Sequence, residues 1–387
     1  NHNLMNLDIY FKPIEKLDFK NNSIGSFCEF YDVNFPAWEE ADIIVLSVEQ
    51  QQSLKDNLED DFFHVSVRKK FYDFYLPSIK NVKLVDLGVV EKGAQHRDTL
   101  IALQDITAEV QKKGKFLIIL GNSQELTYAN YLGYKNIEQT VNITCIDKKI
   151  DLETDQENLL SSNNFINHLL TTKPNFLFNF SILGSQQFYL SPSQLSLFEE
   201  LYFDCLRLGE LQQNLKLAEP YLRNTDILSI DLSCLRASDY GNTGENGPNG
   251  FFANELCQLT RYAGISDKLT SFGVYNLQNN LNEAEAELVA QLLYFTVDGF
   301  AKRKKDYPIG TKKDYTKYSV FHEELNHNLV FYKSPKTERW WLEVPYPPLK
   351  DFKFERHNLV PCDYEDYITA QKGLIPDLWW MTYRKLN

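Results

Sequence analysis

Short, almost uninterrupted runs of apolar and β-branched residues recur through the middle of this chain, and they constrain its fold more than any other feature. A strand that is apolar at nearly every position, rather than at every second one, is covered by other elements on both faces. Longer segments with helical spacing separate these runs, and alternation of this kind builds parallel sheets. The predicted strands are residues 43–46, 82–90, 116–120, 141–146, 176–180, 227–232 and 269–275.

The helical segments complete the predicted architecture. Residues 98–113, 194–208, 254–262 and 282–302 show helical spacing, and the last carries an apolar stripe from Ala286 to Val297. We therefore predict an α/β fold, a three-layer α/β/α sandwich with a mainly parallel sheet. Its predicted extent is residues 41–305, between an N-terminal extension (1–40) and a C-terminal extension (306–387).

The C-terminal extension is unusually rich in aromatic residues and proline. It contains Trp340-Trp341, Pro345-Tyr346-Pro347-Pro348 and Trp379-Trp380. Such a segment either packs on the core or forms an exposed interaction surface. Because large aromatic side chains bury so much apolar area, we predict that the extension packs on the core.

Charge and cysteine usage limit the classes of partner and the compartment. The net charge of −13 argues against nucleic acid, since phosphate binding requires a basic face. No run approaches the roughly 18 apolar residues of a membrane span, and the first residues do not resemble a signal peptide. Six cysteines without CxxC spacing suit a reducing compartment. The expectation is a cytoplasmic protein that binds neither nucleic acid nor membrane.

Polar side chains follow four of the predicted strands, at the point where each strand ends. In an open parallel sheet, ligands bind outside the carboxyl ends of the strands, so these side chains are the candidate binding residues. They are Gln124, Asp147, Lys149, Asp151, Asp231, Ser233 and Asn276.

The spacing of these residues supports convergence but leaves a second interpretation open. Side chains alternate along an extended backbone, so Asp147, Lys149 and Asp151 share one direction, as do Asp231 and Ser233. Alternatively, each aspartate merely caps the turn or helix that follows it. Spacing alone does not decide between a polar cluster and a set of separate caps.

The same segments resemble the ureohydrolase (arginase) family, and most closely its formimidoylglutamase-like branch. That family carries Gly-Gly-(Asp/Gly)-His, Asp-Ala-His-x-Asp and Ser-x-Asp-x-Asp at its strand ends. The matching stretches here are Gly121-Asn122-Ser123-Gln124, Asp147-Lys148-Lys149-Ile150-Asp151 and Ser229-Ile230-Asp231-Leu232-Ser233. Their order and spacing agree with the family from about residue 43 to residue 305. The resemblance implies an arginase-like fold.

The resemblance also implies a metal centre, from which this sequence departs. In the family, two Mn²⁺ ions activate a bridging water that attacks a guanidino or formimino carbon. Gln124 and Lys149 stand at the two histidine ligand positions, Ser233 at the last aspartate, and Asn276 at a glutamate that grips the substrate. The ligand positions that match the family are Asp147, Asp151 and Asp231.

These departures affect the two metal positions unequally. Gln124 with the three aspartates could hold one Mn²⁺, Mg²⁺ or Ca²⁺, because an amide oxygen coordinates hard cations. The other position would include Lys149 and Ser233, and an ammonium is not a ligand. Our hypothesis is that Lys149 neutralises the carboxylates, so that no metal cofactor is needed. The alternative is that Lys149 extends into solvent and leaves room for one ion.

Three functions remain open on the sequence, from different classes. The first is a non-hydrolytic protein that binds a small polar molecule or serves as a scaffold. The second is an active hydrolase of linear amidine C–N bonds, acting with one metal on a formimino or guanidino compound such as formimidoylglutamate. The third is a structural oligomer component, since the resemblance implies a homo-oligomer. Whether the chain is an enzyme is left undecided.

Two further motifs do not indicate a catalytic site. His322-Glu323-Glu324-Leu325-Asn326-His327 superficially resembles a helical zinc motif, but its histidines are five residues apart rather than four and diverge on a helix. We therefore predict no zinc site there. The glycine-rich stretch 241–247 is predicted to form a mobile rim of the strand-end site.

Overall fold

Ten strands form one sheet at the centre of this computed structural model, which describes residues 6–15, 17–49, 62–153, 159–241, 243–308, 311–345 and 356–386. The order is β1-β4-β3-β5-β10-β9-β6-β7-β8, with β2 also pairing with β4. Only β1 runs antiparallel to its neighbour. The strands are β1 (Phe11–Lys12), β2 (Cys28–Phe30), β3 (Ile43–Val48), β4 (Leu84–Val90), β5 (Phe116–Gly121), β6 (Val141–Ile146), β7 (Leu177–Ser185), β8 (Asp204–Arg207), β9 (Ile227–Asp231) and β10 (Ser271–Tyr275).

Helices cover both faces of this sheet. On β3, Ile43 and Val45 pack into one apolar cluster with α1, α8 and α9, while Ile44 and Leu46 pack into another with α2 and α3. This arrangement confirms the predicted three-layer sandwich and explains why the strands are apolar at successive positions. The helices are α1 (Phe63–Asp73), α2 (His96–Lys112), α3 (Leu126–Asn136), α4 (Phe165–Thr171), α5 (Pro192–Glu200), α6 (Leu208–Gln213), α7 (Glu219–Arg223), α8 (Ala253–Ile265) and α9 (Glu283–Ala301).

The helix predicted over residues 194–208 is wrong in its second half. The helix α5 ends at Glu200, and β8 follows it at Asp204–Arg207. Between them Tyr202 adopts φ +56°, a left-handed conformation that turns the chain. The short edge strand β8 then pairs with β7 on one side only, which is why it has no continuous apolar run.

The C-terminal residues form a second, antiparallel sheet with two helices. Its strands pair in the order β11 (Thr316–His322), β12 (His327–Lys333), β13 (Trp340–Glu343), β14 (Leu359–Cys362), and α10 (Tyr364–Gln371) and α11 (Asp377–Leu386) follow. The Arg223 guanidinium donates to the carbonyl oxygens of Trp340 (2.8 Å) and Cys362 (2.9 Å) and lies over the Trp341 ring. The extension thus packs on α7.

Most of the aromatic residues that mark this extension are buried. Trp340, Trp341 and Trp379 are at most 8% exposed, whereas Trp380 is 40% exposed. The Tyr346-Pro347-Pro348 stretch lies outside the described residues. The proposed division of the chain at about residues 40 and 305 stays a prediction.

A buried ion pair joins α1 to the edge of the sheet. Arg68 on α1 donates through Nε and Nη2 to both oxygens of Asp86, at 2.8 and 2.9 Å. Its Nη1 also donates to Ser47 Oγ (2.7 Å), and Tyr72 Oη donates to Asp86 Oδ2 (2.5 Å). Arg68 and Asp86 are at most 2% exposed, so each charge depends on the other for its solvation.

The helices α8 and α9 approach each other closely at Gly264. A methyl group there would lie 2.4 Å from the carbonyl oxygen of Thr296. Because backbone atoms of α9 cannot move aside cheaply, Gly264→Ala is expected to lower the free energy of unfolding by about 1–3 kcal/mol. Urea denaturation would measure the change. Gly209→Ala is the matched control, since no atom lies within 4 Å of the added methyl group, and it should not destabilise the protein.

Two expectations from composition can be compared with the structure. All six cysteines are unpaired, as expected from their scattered spacing. Within the described ranges, no helix has the combination of length and apolar character that crossing a bilayer would require.

Candidate functional site

The candidate site lies where four neighbouring strands end. In the sheet, β10 and β9 lie between β5 and β6, and the pairs Leu120–Val274, Tyr275–Asp231 and Ile146–Ile230 align the strand ends. The strand-end cleft at this edge has a volume of about 500 Å³. Its lining residues are Asn122, Ser123, Gln124, Lys149, Asp151, Ser162, Asp231, Thr243, Gly244, Glu245, Asn276 and Gln278.

Three aspartates converge beneath this cleft. Asp147, Asp151 and Asp231 are between 1% and 4% exposed. Burial, together with their mutual repulsion, raises the pKa of Asp147 well above its ordinary value and that of Asp151 to about 7. Burial likewise raises the pKa of Asp231. A carboxylate group of this kind needs positive charge or hydrogen-bond donors to stay ionised.

Gln124 supplies donors to two of these carboxylates. With the amide oriented to satisfy all its neighbours, Nε2 donates to Asp147 Oδ2 (3.0 Å) and Asp151 Oδ2 (3.2 Å). The amide oxygen then accepts from Ser229 Oγ at 3.3 Å. In this orientation the side chain that precedes α3 acts as a donor toward the carboxylates.

Lys149 lies against the same cluster. Its Nζ is 3.4 Å from Asp151 Oδ1 and 3.7 Å from Glu245 Oε2, and it donates to Asn163 Oδ1 at 2.9 Å. Burial by itself lowers the pKa of Lys149, but the carboxylates of Asp151 and Glu245 outweigh it and the net pKa is raised. The ammonium therefore carries its charge at neutral pH, with its direct ion pair to Asp151 rather than to Asp147 or Asp231.

Asp231 receives its donors from the ends of β9 and β10. Asn276 Nδ2 donates to Asp231 Oδ1 (3.2 Å), and the backbone N–H of Ser233 donates to the same oxygen (2.6 Å). Asn276 adopts φ +63°, which asparagine tolerates better than most residues, and Gln278 Nε2 donates to its side-chain oxygen (3.0 Å). Ser233 is buried and does not line the cleft.

Two of the three clustered aspartates also cap the turns that follow their strands. Asp147 Oδ1 accepts from the backbone N–H of Lys149 (3.2 Å), and Asp231 Oδ1 accepts from that of Ser233, so these aspartates do cap turns. Their remaining oxygens face the side chains of Gln124 and Asn276. The caps hold the carboxylates in the positions in which they form the cluster.

Residues outside the predicted binding set contact the cluster and the cleft. Asn163, just before α4, accepts from Lys149, and Ser229 on β9 contacts Gln124 from behind. Glu245 belongs to the glycine-rich stretch predicted as a rim, and residues 243–245 do line the cleft. Lys148 Nζ donates to the backbone oxygen of Glu245, which ties the rim to the end of β6.

Comparison with known proteins identifies the family. The family model described as "Arginase family" matches residues 61–297, more than half of the chain. This chain belongs to the arginase family. The comparison with curated proteins gives no match.

Solved structures of this family share the fold at low sequence identity. The formiminoglutamase of Trypanosoma cruzi with Mn²⁺ aligns with a TM-score of 0.63 and 16% identity, over 73% of this chain and 100% of that chain. The formimidoylglutamase of Bacillus subtilis gives 0.63 and 12%, over 75% and 96%. The agmatine ureohydrolase of Thermoplasma volcanium gives 0.52 and 15%, over 75% and 98%.

The residues present do not fit the two Mn²⁺ ions that the family implies. Among the residues that the structure covers, no three or more His, Cys, Asp or Glu side chains are grouped so as to hold an ion. The charged Nζ of Lys149 lies 3.4 Å from Asp151 Oδ1, and the nitrogen of Gln124 faces Asp147 and Asp151 when its amide is oriented to satisfy its neighbours. An ammonium and an amide N–H offer no lone pair to a metal.

The histidine pair at 322 and 327 adopts a different structure from a zinc-protease helix. His322 ends β11 and His327 begins β12, so the two face each other across a hairpin. His322 Nε2 is bonded to the carbonyl oxygen of Gly373 at 2.9 Å. That contact gives His322 a structural role in joining the sheet to the turn after α10.

Proposed function

We propose that this arginase-family protein binds a small polar molecule in the strand-end cleft without a metal ion and does not perform two-metal hydrolysis. One observation carries the proposal. The family resemblance expects two histidines and a glutamate at positions 124, 149 and 276. Lys149 and Asn276 direct N–H groups toward the aspartates, and Gln124 does so with its amide in the orientation that satisfies its neighbours. These donors stabilise the carboxylates, as the metal ions do in the family.

The chemistry of hydrolysis supports this proposal. In the family's reaction a water becomes a nucleophile because two ions together lower its pKa and orient it. The carboxylates here already accept hydrogen bonds from Gln124, Asn276 and backbone N–H groups. A cation would therefore have to compete with these donors and with the Lys149 ammonium for the carboxylate oxygens.

The lining of the cleft defines the class of ligand. Asn122, Ser123, Gln278 and Thr243 add amides and hydroxyls to the charged groups. A volume of about 500 Å³ is that of a small-molecule site. A polar metabolite with several hydrogen-bonding groups fits this lining better than an apolar compound.

The metal content of the purified protein tests the proposal. Protein produced in Mn²⁺-supplemented medium and dialysed should contain well below one ion per chain by elemental mass spectrometry, while its circular dichroism shows the folded state. Near-stoichiometric Mn²⁺ would refute the metal-free site and direct the next experiment to the hydrolysis of formimino and guanidino compounds.

A hydrolase with a single ion is the second candidate function. The amide group of Gln124 lies within 3.2 Å of Asp147 Oδ2 and Asp151 Oδ2. If the amide rotated, its oxygen would join these carboxylates as a possible ligand of a hard cation. One bound Mn²⁺, Mg²⁺ or Ca²⁺ per chain would support this candidate. Assembly into a homo-oligomer, as a structural component, rests on the family resemblance alone and is tested by the mass in solution.

Replacement of Lys149 tests its part in the cluster. Lys149→Ala should lower the free energy of unfolding by about 1–3 kcal/mol, a value reduced for the partial exposure of the side chain. The ammonium is charged below its ordinary pKa of 10.5, whereas Asp151 takes up a proton as pH falls through about 7. The loss should therefore be large at pH 8 to 9 and small at pH 5.

Urea denaturation at the two pH values measures this difference. Lys69→Ala, on the surface of α1, is the control for removing an exposed ammonium. Equal stability of Lys149→Ala and the parent protein at pH 8 would mean that Lys149 does not neutralise the carboxylates.

A further inference from the structure

A second cavity, the C-terminal cavity, lies at the opposite end of the sheet from the strand-end cleft. Its volume is about 350 Å³, within the range of small-molecule sites. Its floor comes from the amino-terminal halves of β6 and β7 and from the start of β8, and its other walls come from α7, β14 and α11. It shares no lining residue with the strand-end cleft.

The lining of this cavity has an excess of negative charge. Its single lysine, Lys385, donates to Asn179 Oδ1, and burial lowers the pKa of Lys385 to about 8. No other residue of the lining carries a positive charge. The lining carboxylates are Asp204, Asp363, Glu365, Asp366 and Asp377. The cavity therefore favours a cationic occupant.

The polar floor of the cavity offers acceptors. Asn142 is 2% exposed and donates through Nδ2 to the carbonyl oxygen of Asn224 (2.8 Å). Its buried Oδ1 has no hydrogen-bond partner anywhere in the described ranges. Asp204 is held in place because its Oδ2 accepts from Asn179 Nδ2 and Ser181 Oγ, both at 2.8 Å. Protein atoms enclose Asn142 Oδ1, so the acceptor on this floor that a ligand can approach is the Asp204 carboxylate.

The walls of the cavity supply apolar contact. Phe178, Leu217, Pro220, Leu378 and Met381 line it together with the polar floor. We propose that the C-terminal cavity is a second binding site that takes a small organic cation, an ammonium group on an apolar body. The ammonium of the ligand reaches Asp204, and its apolar part lies against the walls. The acidic rim attracts such cations from solution.

Calorimetric titration of the full chain with phenethylamine at pH 7 tests this site. Phenethylamine should bind at one site per chain, and phenethyl alcohol, its neutral counterpart, should bind more weakly by roughly tenfold or more, the value of one charge-assisted hydrogen bond. Asp204→Asn should weaken amine binding to a similar degree. The exposed Asp314→Asn is the matched control and should bind as the parent does.

Two further variants separate this site from the strand-end cleft. Leu217→Trp places a larger side chain in the lining at a half-exposed position, where folding tolerates it, and should abolish binding. Asp231→Asn alters the strand-end cleft and should leave the affinity unchanged. The proposal is overturned if the amine and the alcohol bind equally, if Leu217→Trp binds normally, if Asp231→Asn abolishes binding, or if no heat is observed.

Discussion

The quadruple variant Gln124→His, Lys149→His, Ser233→Asp, Asn276→Glu is expected to bind Mn²⁺ where the parent protein does not. The changes replace two amides, an ammonium and a hydroxyl with the groups that the family resemblance places there. Imidazole and carboxylate groups have the lone pairs that Mn²⁺ requires. Dialysed protein should contain close to two Mn²⁺ per chain by elemental mass spectrometry.

A stability measurement gives an independent test of the same variant. An ion that binds only the folded state raises stability, by about 2.7 kcal/mol when its free concentration is a hundred times Kd. Mn²⁺ should therefore raise the Tm of the quadruple variant and leave that of the parent unchanged. The matched variant that retains Lys149 and carries the other three changes should bind less Mn²⁺. A folded quadruple variant without Mn²⁺ affinity would contradict the correspondence with the family motifs.

Arg68→Met is expected to lower the free energy of unfolding by about 3–5 kcal/mol, because it leaves Asp86 charged and buried without its partner. Among the residues that the structure describes, the Tyr72 hydroxyl and the Gly88 N–H would remain as donors to Asp86. Two-state analysis of urea denaturation at pH 7 would measure the loss. The expected size is larger than for any other single substitution discussed above.

The control for Arg68→Met is an ion pair in solvent. Lys83 and Glu40 form a pair whose side chains are 63% and 73% exposed, so Lys83→Met should change stability little. If Arg68→Met cost no more than Lys83→Met, the buried pair would not be the link between α1 and the sheet.

The strands of the core can be predicted from the sequence because burial on both faces of a strand constrains each of its residues separately. A strand covered on both faces must be apolar at successive positions, and the seven predicted strands all exist within a few residues of their predicted bounds. The edge strand β8 was missed because it is short and covered less completely. The antiparallel strands β11–β14 were not predicted either, since aromatic content indicates burial without indicating which partner a segment pairs with.

The candidate site was predictable in position but not in its internal bonding. Strand-end placement and the family resemblance together selected the residues from Gln124 to Asn276 that the structure brings to one edge. The sequence did not decide whether Lys149 neutralises the carboxylates or extends into solvent. The direction of its side chain depends on Asn163 and Glu245, which lie in other loops. The orientation of the Gln124 amide likewise depends on Asp147, Asp151 and Ser229, which come from other strands and loops and surround it.

The sheet order has a consequence for the way this chain is made. The strands β9 and β10 are the last of the large sheet to be synthesised, yet they lie between β5 and β6. Until residue 227 leaves the ribosome, β5 and β6 are open edges of two separate half-sheets, and open edges readily pair with other chains. The same late insertion brings the strand-end residues together. A chain truncated within β9 would therefore lack Asp231 and Asn276 of the site and would expose both edges to aggregation.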